Sequence, residues 1–124
     1  MKRLSIEQVK ALNGLLIVET DGKAGIHDEA LLRQTVDAPW QTFDGEDVCR
    51  GLEAKAARLA FGIIDGRPLA DSNTKTGILA MLTLMELNGV TMHCTDEEIV
   101  DAASKIESEE MTQGQLLEWI HEHR

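Results

Sequence analysis

The stretch NTKTGILAMLTLMELN, residues 73–88, decides the fold. Its apolar side chains cover most of the circumference of a helix, which is the pattern of a helix buried on all sides. Gly89 follows directly and suits a left-handed residue at a helix carboxyl end. We therefore expect an all-α fold, a compact helical bundle around a buried central helix at about 73–88.

Three further helices are predicted from capping boxes. In this motif, a hydroxyl side chain and a Glu or Gln three residues later bind the free amides of the first helical turn. The boxes are Ser5-Ile-Glu-Gln8, Thr95-Asp-Glu-Glu98 and Thr112-Gln-Gly-Gln115. Apolar residues at helical spacing follow each box, and the first such stripe is Ile6, Val9, Leu12 and Leu16.

The remaining chain predicts two more helices and two connectors. We expect a short helix from about Asp28 to Asp37, a connector over 41–46, and a long helix from about Asp47 to Ile64. Pro68 disfavours helical backbone just before it, so the long helix should end by then. Residues 90–94 are predicted to form a short extended piece. With no repeat or low-complexity tract, we expect a single domain over 1–124.

Composition restricts the class of protein. A formal net charge of −10 disfavours direct nucleic-acid binding and anionic membrane surfaces. The longest apolar stretch, Ile78 to Leu87, is too short to span a bilayer, and the amino end lacks the apolar region of a signal peptide. Cys49 and Cys94 do not form a Cys-x-x-Cys pair. We expect a reduced, cytoplasmic protein.

The polar loop before the central helix, GRPLADSNTKTG at 66–77, is the candidate site. Free amides and the helix dipole at a helix amino end attract anions. Lys75 and Thr76 can add a cation and a hydroxyl, Asp71 can hold Mg²⁺, and Arg67 can reach the same anion. The alternative is an ordinary helix cap with Ser72 or Asn73 as the N-cap residue.

This loop resembles the signature of the Fic family, His-Pro-Phe-x-(Asp/Glu)-(Gly/Ala)-Asn-(Lys/Gly)-Arg, written in Doc proteins as His-x-Phe-x-Asp-Ala-Asn-Lys-Arg-Thr-Ala. Pro68, Asp71, Asn73 and Thr76 match. Three further segments resemble Doc sequences, so the likeness extends over nearly the whole chain. They are GIHDEALL at 25–32, APWQTF at 38–43 and LMELNGV at 84–90.

The resemblance implies a Fic-like helical fold and transfer from ATP to a protein hydroxyl, as a nucleotidyl group in Fic enzymes and as a phosphate in Doc. It also implies a toxin of a bacterial toxin–antitoxin pair, with elongation factor Tu as target and the helical tail of an antitoxin lying in a groove over the site. By position, Asp71 would bind Mg²⁺, and Lys75 would replace the phosphate-binding Arg. The residues at which phosphate would bind are Ser72, Asn73, Thr74, Lys75 and Thr76.

One departure from the signature decides the expected activity. Arg67 stands where the family has its catalytic His, which takes the proton from the target hydroxyl. Arginine has a pKa above about 12 and cannot act as a base. Leu69, Thr74 and Lys75 also differ from the signature. We therefore expect a weak or inactive transferase.

Two alternatives stay open. One is an active Doc-like kinase that uses another base, for which the candidates are His27, His93, His121 and His123. The other is a non-catalytic interaction module that no longer binds nucleotide. If a partner helix normally covers the protein, Trp40 and Phe43 should be partly exposed.

Overall fold

The computed structural model describes residues 1–124, and six α-helices dominate it. The helices are α1 (Ile6–Thr20), α2 (Glu29–Asp37), α3 (Leu52–Gly66), α4 (Asn73–Leu87), α5 (Asp96–Glu107) and α6 (Gln113–His123). A 3₁₀ turn at Ala38–Trp40 follows α2, and β1 (Thr42–Phe43) pairs antiparallel with β2 (Glu46–Asp47). The expected all-α class is confirmed.

All three capping boxes are present. Ser5, Thr95 and Thr112 each accept a hydrogen bond from the third amide of their helix, and the Gln or Glu at that third position bonds back to the cap amide. These interactions join residues only three apart. They therefore define the starts of α1, α5 and α6 without help from the rest of the fold.

Helices α3 and α4 form the centre of the molecule together. Their mutual contact is the most extensive between any two elements, and α4 also packs on α1 and α5. Gly77 allows the close approach, because a Cβ there would lie 3.0 Å from the carbonyl oxygen of Ala60 and 2.7 Å from Cγ1 of Ile64. Each of the two helices has eight buried residues. Lys75, Glu86 and Leu87 of α4 are exposed, so the all-round burial predicted for α4 is only partly confirmed.

The predicted start of the long helix at Asp47 is wrong. Asp47 ends β2, and α3 begins at Leu52 after Gly51, whose φ of 89° favours glycine. The connector is a hairpin that turns at Asp44 and Gly45, both with positive φ. Lys55 on α3 holds the hairpin, since its buried Nζ donates to Oδ2 of Asp47 at 3.0 Å.

The segment 90–94 is irregular and pairs with no strand, so the predicted extended piece is not a β-strand. Trp40 packs partly buried against the core, with the guanidinium of Arg3 at 5.6 Å and Nζ of Lys55 at 5.5 Å from its ring centroid. Phe43, on the hairpin, is 79% exposed. Both cysteines are free thiols, and none of the helices combines the length and apolar character needed to cross a bilayer.

Candidate anion-binding cleft

A polar cleft of about 450 Å³ lies at the amino end of α4, and no apolar residue lines it. The end of α1, the end of α3, the start of α4 and the end of α5 all contribute to its walls. Its lining residues are Thr20, Asp21, Gly22, Arg67, Asp71, Ser72, Asn73, Thr74, Lys75 and Glu107. The 66–77 loop therefore forms one wall of a cleft that also involves residues distant in sequence.

The amino end of α4 lacks a side-chain cap. Ser72 is the N-cap residue, but its backbone is left-handed, with φ of 60°, and its hydroxyl makes no capping bond. The first helical hydrogen bond runs from the amide of Thr76 to the carbonyl of Ser72. The amides of Asn73, Thr74 and Lys75 have no acceptor within the chain. These donors carry the partial positive charge of the helix end.

Asp71 is held as a carboxylate beside these amides. Its Oδ1 accepts from the amide of Ser72 at 2.7 Å, and its Oδ2 accepts from the amide of Lys23 at 3.1 Å. The bond from Lys23, followed by that from Ser72, lowers the pKa of Asp71 below its ordinary value. Asp71 is therefore ionised near neutral pH, and each oxygen keeps a further lone pair for a cation.

Gly22 makes room for the Asp71 carboxylate. A Cβ on Gly22 would lie 2.7 Å from Oδ2 of Asp71, closer than nonbonded atoms approach. With a larger residue at position 22, the Asp71 carboxylate would have to move from the place where it accepts from the Lys23 amide. The glycines at positions 22 and 25 favour a turn in this segment, but nothing in the sequence indicates its contact with Asp71.

Asn13, on α1, ties the loop to the core. Its Nδ2 donates to the carbonyl oxygen of Asp71 at 3.0 Å and to Oγ1 of Thr76 at 3.1 Å. Thr76 is fully buried, and its hydroxyl lies in the core rather than in the cleft. Asn13 did not emerge from the sequence as a site residue. Its only signal there is a polar residue among the apolar positions of α1.

The side chain of Asn73 also faces the loop. Its Oδ1 accepts from the amide of Leu69 at 2.9 Å, and its Nδ2 donates to the carbonyl of Leu69 at 3.0 Å. With 4% of its surface exposed, Asn73 fixes the turn before α4. Only its backbone amide remains for a ligand.

Charges of both signs surround the free amides. Arg67 and Lys75 are exposed and supply two cations. Arg67 ends α3 in the left-handed conformation, with φ of 53°. Glu107, at the end of α5, accepts a hydrogen bond from Oγ1 of Thr74, and Asp21 lies at the end of α1. Apart from Asp71, the cleft thus contains two further carboxylates.

No histidine lines the cleft. His27 is exposed, and its backbone amide donates to the carbonyl of Pro68 at 2.9 Å. His123 bonds through its ring to Trp119 and Glu98, away from α4. The cleft's titratable groups are therefore carboxylates, a lysine and an arginine, none of which has an ordinary pKa near 7.

No protein-family model matches this chain, and no curated protein sequence does either. What the cleft can do follows from its residues. Three free amides, two cations and an ionised carboxylate suit a phosphate group bound with a divalent cation. The same set lacks a group suited to take a proton from a hydroxyl near neutral pH.

Proposed function

We propose that the protein is a Doc-like member of the Fic family that binds ATP and Mg²⁺ at the α4 cleft but is weak or inactive as a transferase. One observation supports this proposal. Positions aligned with the Fic signature line one cleft around three unpaired amides, and no histidine is among them. These positions include Arg67, Asp71, Asn73, Thr74 and Lys75. A Fic-like arrangement of the bundle around α4 is part of the proposal.

Phosphate binding would depend mainly on the backbone. The amides of Asn73, Thr74 and Lys75 would donate to phosphate oxygens, and the helix dipole would add to the attraction. Lys75 would contribute a point charge rather than the two-pronged contact of an arginine. Asp71 would hold Mg²⁺, because its carboxylate is ionised and fixed in place by two backbone amides.

The expected weakness of transfer follows from Arg67. A transferase needs a group that takes the proton from the attacking hydroxyl, and such a group contributes roughly 10²–10⁴-fold to the rate. The guanidinium of Arg67 cannot accept that proton. Asp71 is a poor substitute, because its pKa is lowered by the amides of Lys23 and Ser72.

The biological role we propose is that of the toxin-family member of a bacterial toxin–antitoxin module in the cytoplasm. Its partner would be an antitoxin whose helical tail lies in a groove over the cleft, and its target class would be that of elongation factor Tu. The resemblance of the flanking segments at 25–32, 38–43 and 84–90 supports this role. The exposed aromatic ring of Phe43 is compatible with a protein partner.

Transfer of label from ATP tests the proposal. The chain and Arg67→His are each incubated with α- or γ-labelled ATP and a bacterial extract containing elongation factor Tu. Histidine tolerates the left-handed backbone of position 67 better than most residues do. We expect transfer by Arg67→His and little or none by the unmodified chain. Arg67→His combined with Asp71→Asn is the matched control and should be silent.

Three outcomes distinguish an impaired transferase, an active transferase and a non-catalytic interaction module. Strong transfer by the unmodified chain would show that an active kinase or nucleotidyltransferase uses another base, and the labelled phosphorus would identify the group. Transfer by Arg67→His alone would support the proposal. Silence from both, together with no calorimetric ATP·Mg²⁺ binding, would overturn it in favour of a non-catalytic interaction module.

A further inference from the structure

His123, on the last turn of α6, lies between two groups that accept hydrogen bonds. Its Nδ1 is 2.6 Å from the carbonyl oxygen of Trp119, and its Nε2 is 2.7 Å from Oε2 of Glu98 on α5. The ring stacks on Trp119 with centroids 4.2 Å apart, and only 14% of the side chain is exposed. None of these three residues lines the α4 cleft.

The two contacts determine the protonation state. A carbonyl oxygen can only accept a hydrogen bond, and so can an ionised carboxylate. The pKa of Glu98 is lowered by the amide of Thr95 and then by His123, so its carboxylate is ionised near neutral pH. Both ring nitrogens must therefore donate, and only the imidazolium form can do so.

The same residue also joins a third part of the chain. The backbone amide of His93 donates to the carbonyl oxygen of His123, so α6 is connected to the irregular segment before α5. We propose that His123 is a proton-dependent latch, whose imidazolium holds α6 to α5 through Glu98 and whose deprotonation weakens that contact. This inference is independent of the function proposed for the cleft.

The charged groups around the latch favour its protonated form. Glu98 faces it from α5, and Glu122 adjoins it on α6. Arg124, the neighbouring cation, is paired with Glu53 of α3. The 90–94 segment contributes the Cys94 thiol. Burial, followed by the charges of Glu98 and Asp96, raises the pKa of this thiol, so it stays neutral near pH 7.

The direction of the pH effect follows from this environment. The bond to the carbonyl of Trp119, and then the contact with Glu98, raise the pKa of His123 above its ordinary value of 6.5, although burial opposes them. A raised folded-state pKa means that folding favours the protonated ring. The stabilisation is therefore complete below the unfolded-state value and is lost as pH rises through the folded-state value.

Two variants and a control isolate the latch. His123→Gln removes the titrating group. Glu98→Gln keeps the capping box, because an amide oxygen can still accept from Thr95, but it presents an NH₂ group to Nε2 and so favours the neutral ring. His121→Gln is the control, since His121 is exposed on the same helix and forms no hydrogen bond through its ring.

The experiment combines an NMR titration of His123 with urea unfolding at pH values from 5 to 9. We expect the His123 midpoint in the folded chain to lie above its midpoint in the urea-unfolded chain, and to fall in Glu98→Gln. The unfolding constant of His123→Gln relative to the unmodified chain should be highest at low pH and fall to a pH-independent value at high pH, with a total change of about tenfold for each unit of midpoint shift.

Other outcomes would overturn the proposal. If His123 titrates at the same pH in the folded and unfolded chains, the ring is not held as an imidazolium. If His123→Gln and His121→Gln show the same pH dependence of unfolding, the contacts of His123 are not a latch. A purely structural role would lower stability by the same factor at every pH, which this comparison detects.

Discussion

The side chain of Asn13 hydrogen-bonds at once to the carbonyl oxygen of Asp71, at 3.0 Å, and to Oγ1 of Thr76, at 3.1 Å. One buried amide thereby connects α1 to both the loop and the first turn of α4. Every buried polar side-chain atom in the structure has a partner. The Thr76 hydroxyl lies in the core, and the Asn13 amide supplies its hydrogen-bond partner.

Replacing Asn13 by Ala should lower the free energy of unfolding by about 1–3 kcal/mol, because buried groups on Asp71 and Thr76 lose their donor. Urea unfolding measures the change. Thr76→Val removes one acceptor, so the double variant should lose less stability than the two single losses added together. If the two single losses of unfolding free energy simply add in the double variant, the Asn13–Thr76 hydrogen bond does not contribute to stability.

Gly22→Ala should displace the Asp71 carboxylate, since its Cβ would lie 2.7 Å from Oδ2. We expect weaker Mg²⁺-dependent nucleotide binding by calorimetry, together with a loss of stability. Gly14→Ala is the matched control, because nothing lies within 4 Å of a Cβ there and the position is in the exposed face of α1. That control should gain about 0.5–1 kcal/mol, as expected for Gly to Ala within a helix. Equal stabilisation by both substitutions would contradict the crowding at position 22.

Gly77→Ala should destabilise the fold although alanine favours helix. The added methyl would meet Cγ1 of Ile64 at 2.7 Å and the carbonyl oxygen of Ala60 at 3.0 Å, and the carbonyl is backbone that cannot turn aside. We expect a loss of about 1–3 kcal/mol, as for other overpacked cores. Thermal and urea unfolding beside Gly14→Ala provide the comparison. A Gly77→Ala variant as stable as Gly14→Ala would mean that α3 and α4 are less closely packed than described.

Asp71→Asn should change the acid dependence of stability. The backbone amides of Lys23 and Ser72 favour the ionised carboxylate and lower its pKa in the folded chain. Its contribution should therefore be present above the unfolded-state value of about 3.8 and be lost as pH falls through the lower folded-state value. Urea midpoints from pH 2 to 6 measure this. Asp65→Asn, at an exposed carboxylate near the end of α3, is the control. If stability depends on pH in the same way in both variants, the bonds from the Lys23 and Ser72 amides do not stabilise the ionised Asp71 carboxylate.

Local signals in the sequence predicted most of the helices. The capping boxes at Ser5, Thr95 and Thr112 work over three residues, so nothing distant alters them. The predicted start of α3 is too early because Val48 lies four residues before Leu52, so helical spacing continues past the true start. Its true start depends on Gly51 and on the tertiary bond from Lys55 to Asp47, which periodicity does not reveal.

The candidate site was only partly visible in the sequence. Arg67, Asp71 and Lys75 line one cleft, as their proximity in sequence suggests, and their roles stay predictions. The orientation of Thr76 and the contact of Lys23 with Asp71 could not be predicted. Each depends on a hydrogen bond between residues 48 or 63 positions apart, whose pairing only the packed helices determine.

Hydrogen bonds hold the loop before α4 along its length. The Pro68 carbonyl accepts from two amides, and the Ala70 amide donates to the Gly25 carbonyl. The Asn73 side chain bonds to both the amide and the carbonyl of Leu69. The loop is thus already ordered before an anion binds, and binding costs it little further conformational entropy. Association should then be a single kinetic phase with a small heat-capacity change, without the slow step of a loop that orders around its ligand.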